Sequence, residues 1–390
     1  MIPYGKQQID ENDIQSVIDC LSSSFLTQGP LIPQFEQSVA EYVGARFAVA
    51  VSSGTAALHI AALAAGLKPG DALLTSPITF VATSNAALYA GGLPLFADVD
   101  PGTINISPTA VENMLEINPR IKIISPVHFS GLPCDMHTIK KLADAAGAVI
   151  VEDAAHALGS RYDDGSAVGN CKYSLMTVFS FHPVKSITTG EGGLITTNDE
   201  AIYRSLLRLR SHGINKEADT FQVPENALTK GVSNPWYYEM QDLGFHYRIT
   251  DIQCALGLSQ LKKLDSYLSR RLELVKRYDL AFADSELIKP AQAAGRNQSA
   301  HHLYPVRVNF EAAGLTRAMF MGELRRQGVI TQVHYIPVTM QPFYQRLGFL
   351  TDDYPHAKSY YAQALSLPLY VDLTDAQQDS VIALVLELLG

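Results

Sequence analysis

Lys185 closes the apolar run LMTVFSFHPVK (175–185) and is followed at once by SITTGEGG. An amine at the end of a buried strand loses water. Its pKa falls, and the neutral form can attack a carbonyl to give a Schiff base. Taken alone, the residue would also read as an ordinary surface lysine. Three other stretches supply matching chemistry. VIVED (149–153) ends an apolar strand in Asp153, and ligands of open α/β sheets collect at such strand ends. A carboxylate there can pair with a protonated ring nitrogen, or cap a helix. Between the strand RFAVAV and an alanine-rich helix stand Ser52, Ser53, Gly54 and Thr55. Their hydroxyls and the free N–H groups of a helix start suit a phosphate, or form a plain cap. Phe80, just past TSPIT, offers a face for a flat ring, or fills the core. A phosphate cradle, an aromatic platform, a ring-nitrogen carboxylate and an imine-forming lysine are together what pyridoxal phosphate requires.

The elements that must position these residues alternate along the first two thirds of the chain. Strand candidates at 46–51, 71–77, 93–100, 121–131, 147–155, 175–182 and 192–199 are mostly continuous apolar runs. Runs of that kind are buried on both faces, which predicts an α/β domain with a mostly parallel central sheet flanked by helices. From Thr250, a plausible N-cap, Leu261, Leu264, Leu268, Leu272 and Val275 recur at spacings of three and four. The spacing predicts one long amphipathic helix. Beyond it HHLYPVRV reads as a strand with polar edges, RAMFMGELRRQ as a helix, ITQVHYI as a strand, and Thr374 as the cap of a last helix. The expected domains are a large α/β unit over 1–250 and a small C-terminal α+β unit over 251–390. Residues 213–243 have no period and read as a covering loop.

The net charge of −9 argues against a nucleic-acid partner. No apolar run approaches the roughly 18–20 residues of a membrane span, and MIPYGKQQIDEND does not read as a signal peptide. Cys20, Cys134, Cys171 and Cys254 lack CxxC spacing, so neither a metal site nor a disulfide framework is expected. A reducing, cytoplasmic compartment fits that usage.

The ordered set Ser-Gly-Thr, Thr-Phe-Val-Ala-Thr, Glu-Asp-Ala-Ala-His, Ser-Phe-His-Pro-Val-Lys and Gly-Glu-Gly-Gly resembles the DegT/DnrJ/EryC1/StrS nucleotide-sugar aminotransferases, over essentially the whole chain. The resemblance implies a fold-type-I enzyme with pyridoxal 5'-phosphate as cofactor. Lys185 would bond the cofactor and then move protons, and Asp153 would pair with its ring nitrogen. His156 would contact its ring hydroxyl and Phe80 would stack on it. Ser53, Gly54, Thr55 and Ser180 would bind its phosphate. Glu191 would hold the glycine-rich turn or touch ligand. The family completes each site from a second subunit, which implies a homodimer with residues 1–30 reaching the partner. His246, in LGFHYRITDIQ, replaces a family asparagine at the phosphate, and Arg248 would face the donor carboxylate or brace the dimer. Tyr4, Ser24, Phe25, Leu26, Thr27, His334 and Tyr335 would contact the sugar nucleotide. The segments SSFLTQGPLIPQFE, HALGS and ALGLSQLKKLD most resemble the branch that aminates C4 of UDP-4-keto-6-deoxy-N-acetyl-L-altrosamine with L-glutamate, for pseudaminic acid biosynthesis. Another 4-keto or 3-keto nucleotide sugar is the alternative. A relative that dehydrates sugars would lack Lys185. A cofactor-binding regulator would need a DNA-binding segment, for which the chain has no room.

Overall fold

The computed structural model describes residues 1–292 and 295–390. Seven strands form the central sheet: β1 (Phe47–Val51), β2 (Ala72–Thr75), β3 (Leu93–Phe96), β4 (Ile121–Ser125), β5 (Val149–Asp153), β6 (Met176–Ser180) and β7 (Gly193–Thr197). Their order is β1-β7-β6-β5-β4-β2-β3. All run parallel except β7, which pairs antiparallel with both β1 and β6. The short connection from β6 to β7 cannot make a parallel crossover, so the chain turns straight back. Lys185 lies in that connection.

Alternate residues of each strand feed opposite faces of the sheet. Ala48, Ala50, Leu74, Ile124, Ile150 and Phe179 face a core built with α2 (Leu31–Val43) and α6 (Met136–Ala146). Val49, Val51, Leu73, Ile123, Val151 and Val178 face a second core. That core is closed by α3 (Gly54–Ala64), α4 (Ala82–Tyr89) and α7 (Glu200–Arg210). The outer edge of β1 is covered from its own chain. The buried Glu36 carboxylate accepts the Ala50 N–H at 2.8 Å and pairs with Arg210.

The expected long helix divides. Asp251–Leu261 and Leu264–Ala281 are separate helices. At the break the Lys263 N–H bonds to Gln260 O, and its ammonium reaches Asp10 at 2.9 Å and Asp13 at 2.6 Å. Asp13 is fully buried on the first helix (Glu11–Leu21), so this lysine is drawn inward where a regular turn would carry on. The first of the two helices adds Cys254 to the large core, and Leu264 and Tyr267 of the second join it there. Leu274, Val275 and Tyr278 belong to the other core. The change of core therefore falls inside Leu264–Ala281, not at residue 250.

In the small unit, Ile288–Pro290, Tyr304–Val308 and Ala364–Leu367 make a three-stranded antiparallel sheet. Helices Arg317–Arg326 and Asp375–Leu389 close the core around it, the second started by a capping box at Thr374. ITQVHYI does not form the expected strand. Gln332 pairs with Ser366 alone, and His334 Nδ1 then takes the Ser366 hydroxyl at 2.9 Å. A side-chain bond stands where the ladder would have continued. Residues 213–243 form a loop with two-residue ladders and short turns. Among the described residues no helix is long and apolar enough to cross a membrane.

Candidate active site

A cavity of about 440 Å³ opens at the C-terminal ends of β5 and β6, beside the start of α3. At its floor is Asp153, the last residue of β5, 5% exposed. Its Oδ2 accepts the Thr83 hydroxyl at 2.6 Å and its Oδ1 accepts the Ala155 N–H at 3.1 Å. The Thr83 hydroxyl is in turn 2.9 Å from that of Thr79. On the opposite side of β5, Glu152 is fully buried. Burial pushes its carboxyl upward, but bonds from His128 (2.8 Å), Ser174 and Tyr162 (2.6 Å) overcome this and hold it below the usual range. This network fixes the end of the strand from behind Asp153.

Lys185 faces the same cavity. Burial lowers its amine to about 8, against the opposing pull of Asp153. Such an amine is uncharged at mildly basic pH, where an ordinary lysine is not.

The turn from β1 to α3 forms the third wall. Ser53 caps the helix by accepting the Ala56 N–H at 3.1 Å. Gly54 and Thr55, the first two residues of the helix, have N–H groups without intrahelical acceptors. A Cβ on Gly54 would lie 3.0 Å from Ser180 Cβ and 3.2 Å from its Oγ. Glycine therefore lets bare backbone and the Ser180 hydroxyl converge on one spot. Gly193 does the same from β7, where a Cβ would lie 2.4 Å from Ser53 O. Phe80, 60% exposed, stands on the cavity wall.

His156 is buried between two partners. The Ser130 N–H donates to Nδ1 at 3.3 Å, so the proton of the neutral ring sits on Nε2, facing the Tyr335 hydroxyl at 3.1 Å. Burial first, then the charge of Lys185, holds this imidazole well below its ordinary pKa. His334 falls to about 3 for the same two reasons. These residues fit pyridoxal phosphate: free N–H groups and hydroxyls for its phosphate, a carboxylate fixed by two donors for its ring nitrogen, and a dry amine for its aldehyde.

All the sequence-based site residues line this cavity except Ser52, His246, Arg248 and the segment Ser24–Thr27. His246 is exposed and packs on His212 with ring centroids 5.4 Å apart. Ser24, Phe25, Leu26 and Thr27 are exposed next to residues 250–251, where Thr27 pairs with Thr250 and Leu26 O accepts the Asp251 N–H. Tyr4 was expected to reach the partner with residues 1–30. It lies instead on the cavity of its own chain, 5.5 Å from the His334 ring, because its carbonyl accepts the Leu369 N–H of the small unit. Two residues escape the sequence-based reading. Thr83 closes the Thr-Phe-Val-Ala-Thr stretch, whose four-residue spacing brings both hydroxyls together. His302 lines the cavity although its strand reads as merely polar-edged, and no sequence signal marks it.

Comparison with known proteins agrees with this geometry. The model of the DegT/DnrJ/EryC1/StrS aminotransferase family matches residues 7–386. The spore coat polysaccharide biosynthesis protein SpsC of Bacillus subtilis is 41% identical over 387 residues, 98% of this chain and 95% of SpsC. Helicobacter pylori PseC, an aminotransferase involved in the biosynthesis of pseudoaminic acid, superposes with a TM-score of 0.88 at 31% identity, covering 100% of this chain and 99% of PseC. Streptococcus pneumoniae Spr1654 in its pyridoxal-phosphate form gives 0.87 at 29%, with both chains fully covered. The chain belongs to the DegT/DnrJ/EryC1/StrS aminotransferase family and is a sugar aminotransferase with pyridoxal phosphate as its cofactor.

Proposed function

We propose that the protein transfers an amino group from L-glutamate to C4 of UDP-4-keto-6-deoxy-N-acetyl-L-altrosamine, giving UDP-4-amino-4,6-dideoxy-N-acetyl-β-L-altrosamine for pseudaminic acid biosynthesis. The observation that carries amino transfer is the pairing of a low-pKa lysine with a buried, doubly hydrogen-bonded aspartate in one cavity. Full-length likeness to PseC supports the choice of sugar. Pyridoxal phosphate, when bound, supplies an electron sink and the carbon that carries nitrogen between donor and acceptor. Asp153 keeps a proton on the ring nitrogen, and Thr83 holds that carboxylate in orientation. Lys185 Nζ, its pKa lowered to about 8 by burial, would in its uncharged form accept a proton from a substrate carbon and return it. Gly54, Thr55 and Ser180 anchor the phosphate. The Nε2–H of His156 is in place to meet the ring hydroxyl.

His246 and Ser24–Thr27, exposed and away from the cavity of their own chain, support a homodimer in which they serve the partner's cofactor and sugar. Tyr4, His334 and Tyr335 meet the sugar from the chain's own side. Four buried free cysteines favour a cytoplasmic setting. The 41% identity to SpsC supports a second reading, amination of a different 4-keto or 3-keto nucleotide sugar for a surface polysaccharide. Competition decides between them. The L-altro 4-keto sugar and its D-gluco counterpart are supplied at equal concentration with L-glutamate, and the aminated products are counted. Excess L-altro product is the expected result. Excess D-gluco product, amination at C3, or preference for a dTDP-sugar would overturn the assignment.

A further inference from the structure

We propose that His302 binds the sugar substrate by a hydrogen bond from its Nε2 side to one of the sugar's hydroxyl groups, a role that rests on the sugar-aminotransferase reading above. His302 is 4% exposed, lines the cavity, and has its ring 4.4 Å from that of His156. No described residue hydrogen-bonds to either of its ring nitrogens, and Nδ1 is fully enclosed. The neighbouring His301 also has an unpartnered Nε2 but does not line the cavity, and the other buried histidines around it are engaged. His128 bonds through both nitrogens, to Cys134 N–H and Glu152, and His156 through both, to Ser130 N–H and Tyr335. His334 takes the Ser366 hydroxyl. Because Nδ1 is enclosed by the protein, Nε2 is the ring nitrogen that a ligand in the cavity can bond.

The backbone at this position is held firmly while the ring is left free. The His302 N–H donates to Ser130 O at 2.9 Å. Arg271, 2% exposed and without an ion-pair partner among the described residues, donates through one terminal nitrogen to the carbonyls of His301, His302 and Leu369. His301 takes a left-handed conformation, φ 48°, which non-glycine residues adopt at a cost. A buried arginine and a strained residue thus converge on the turn that presents His302.

The chemistry of the ring selects the ligand. Burial first, then the neighbouring His156, Lys185, Arg271 and His334, holds this imidazole well below its ordinary pKa. A neutral imidazole offers one donor and one acceptor. A hydroxyl can bond the reachable Nε2 in either tautomer, accepting from an N–H or donating to a bare nitrogen, whereas a carboxylate or phosphate can only accept.

The test separates the two half-reactions of the holoenzyme in single turnovers, followed by cofactor absorbance. The probes are L-glutamate and whichever of the L-altro and D-gluco UDP-4-keto-6-deoxy-N-acetylhexosamines the wild type converts faster. In His302→Leu the sugar half-reaction should lose about 10- to 100-fold in kcat/KM, at least tenfold more than the glutamate half-reaction loses. His302→Gln, which keeps a donor and an acceptor, should recover part of the loss. Melting temperatures of both variants identify any that fails to fold. If folded His302→Leu matches the wild type on sugar, if both half-reactions fall equally, or if His302→Gln behaves as His302→Leu, the assignment to His302 is wrong. A wild type idle in both half-reactions would instead overturn the reading of the whole site.

Discussion

At the scale of single residues the site depends on a lysine amine whose pKa burial lowers and a buried carboxyl group held by two donors. Lys185 is legible in the sequence because a lysine at the end of an apolar run is out of place, and Asp153 for the same reason. Thr83 is not legible. A threonine at a helix start is ordinary, and only its contact with a carboxylate 70 positions away gives it a role. Hydrogen bonds to charged groups contribute roughly 1.5–3 kcal/mol. Thr83→Val should therefore lower turnover by about tenfold or more and shift the pH dependence of the cofactor's absorbance, because the ring-nitrogen partner loses a donor. Thr83→Ser, which keeps the hydroxyl, should stay near the wild type in both. A Thr83→Val variant that behaves as Thr83→Ser would contradict this role for the hydroxyl. Histidines are no more legible: His156 reads as a site residue through its neighbours in Glu-Asp-Ala-Ala-His, whereas His302 precedes the strand Tyr304–Val308 in a stretch that reads as its polar edge.

The elements place these residues through strand ends and glycine contacts. Continuous apolar runs identify the parallel strands because both faces of each are covered. The reversal of β7 is not written in its composition; it follows from the short return after β6. The helix break at Lys262–Lys263 is likewise hidden, since the apolar spacing runs through it and its cause, the buried Asp13, lies far away in sequence. Gly193 shows how closely β7 packs on the cofactor-facing turn: a Cβ would lie 2.4 Å from Ser53 O and 2.7 Å from Gly54 N. Both are backbone atoms and cannot rotate aside. Gly193→Ala should push the start of α3 off the sheet, lowering stability by about 1–3 kcal/mol and weakening cofactor binding together. Thermal melting and cofactor titration measure the two effects. Full stability with wild-type cofactor affinity would mean that the turn yields at no cost.

For the whole molecule, the cavity lies where the two units meet. The large one brings Asp153, His156 and Lys185, and the small one brings His302, His334 and Tyr335 to the facing wall. Sites at such junctions are common, because two rigid bodies can enclose a ligand that neither surrounds alone. The change of pattern after residue 250 suggests two units in the sequence. The pattern does not show where one core gives way to the other, because one helix (Leu264–Ala281) contributes to both. The proposed sharing of sites between subunits has a direct test. Lys185→Ala and His246→Ala subunits, each inactive as its own dimer, are mixed under conditions of proven exchange. Activity should return, because each mixed dimer combines an intact Lys185 with the partner's intact His246. No return would assign His246 to its own subunit's site or to none.

The central claim is that Lys185 carries the cofactor. The purified protein is treated with borohydride, which fixes any Schiff base, then digested, and the labelled peptide is sequenced. The account predicts one pyridoxyl label, on Lys185, and its disappearance in Lys185→Ala. A label on another lysine, or no label on a protein loaded with pyridoxal phosphate, would contradict it.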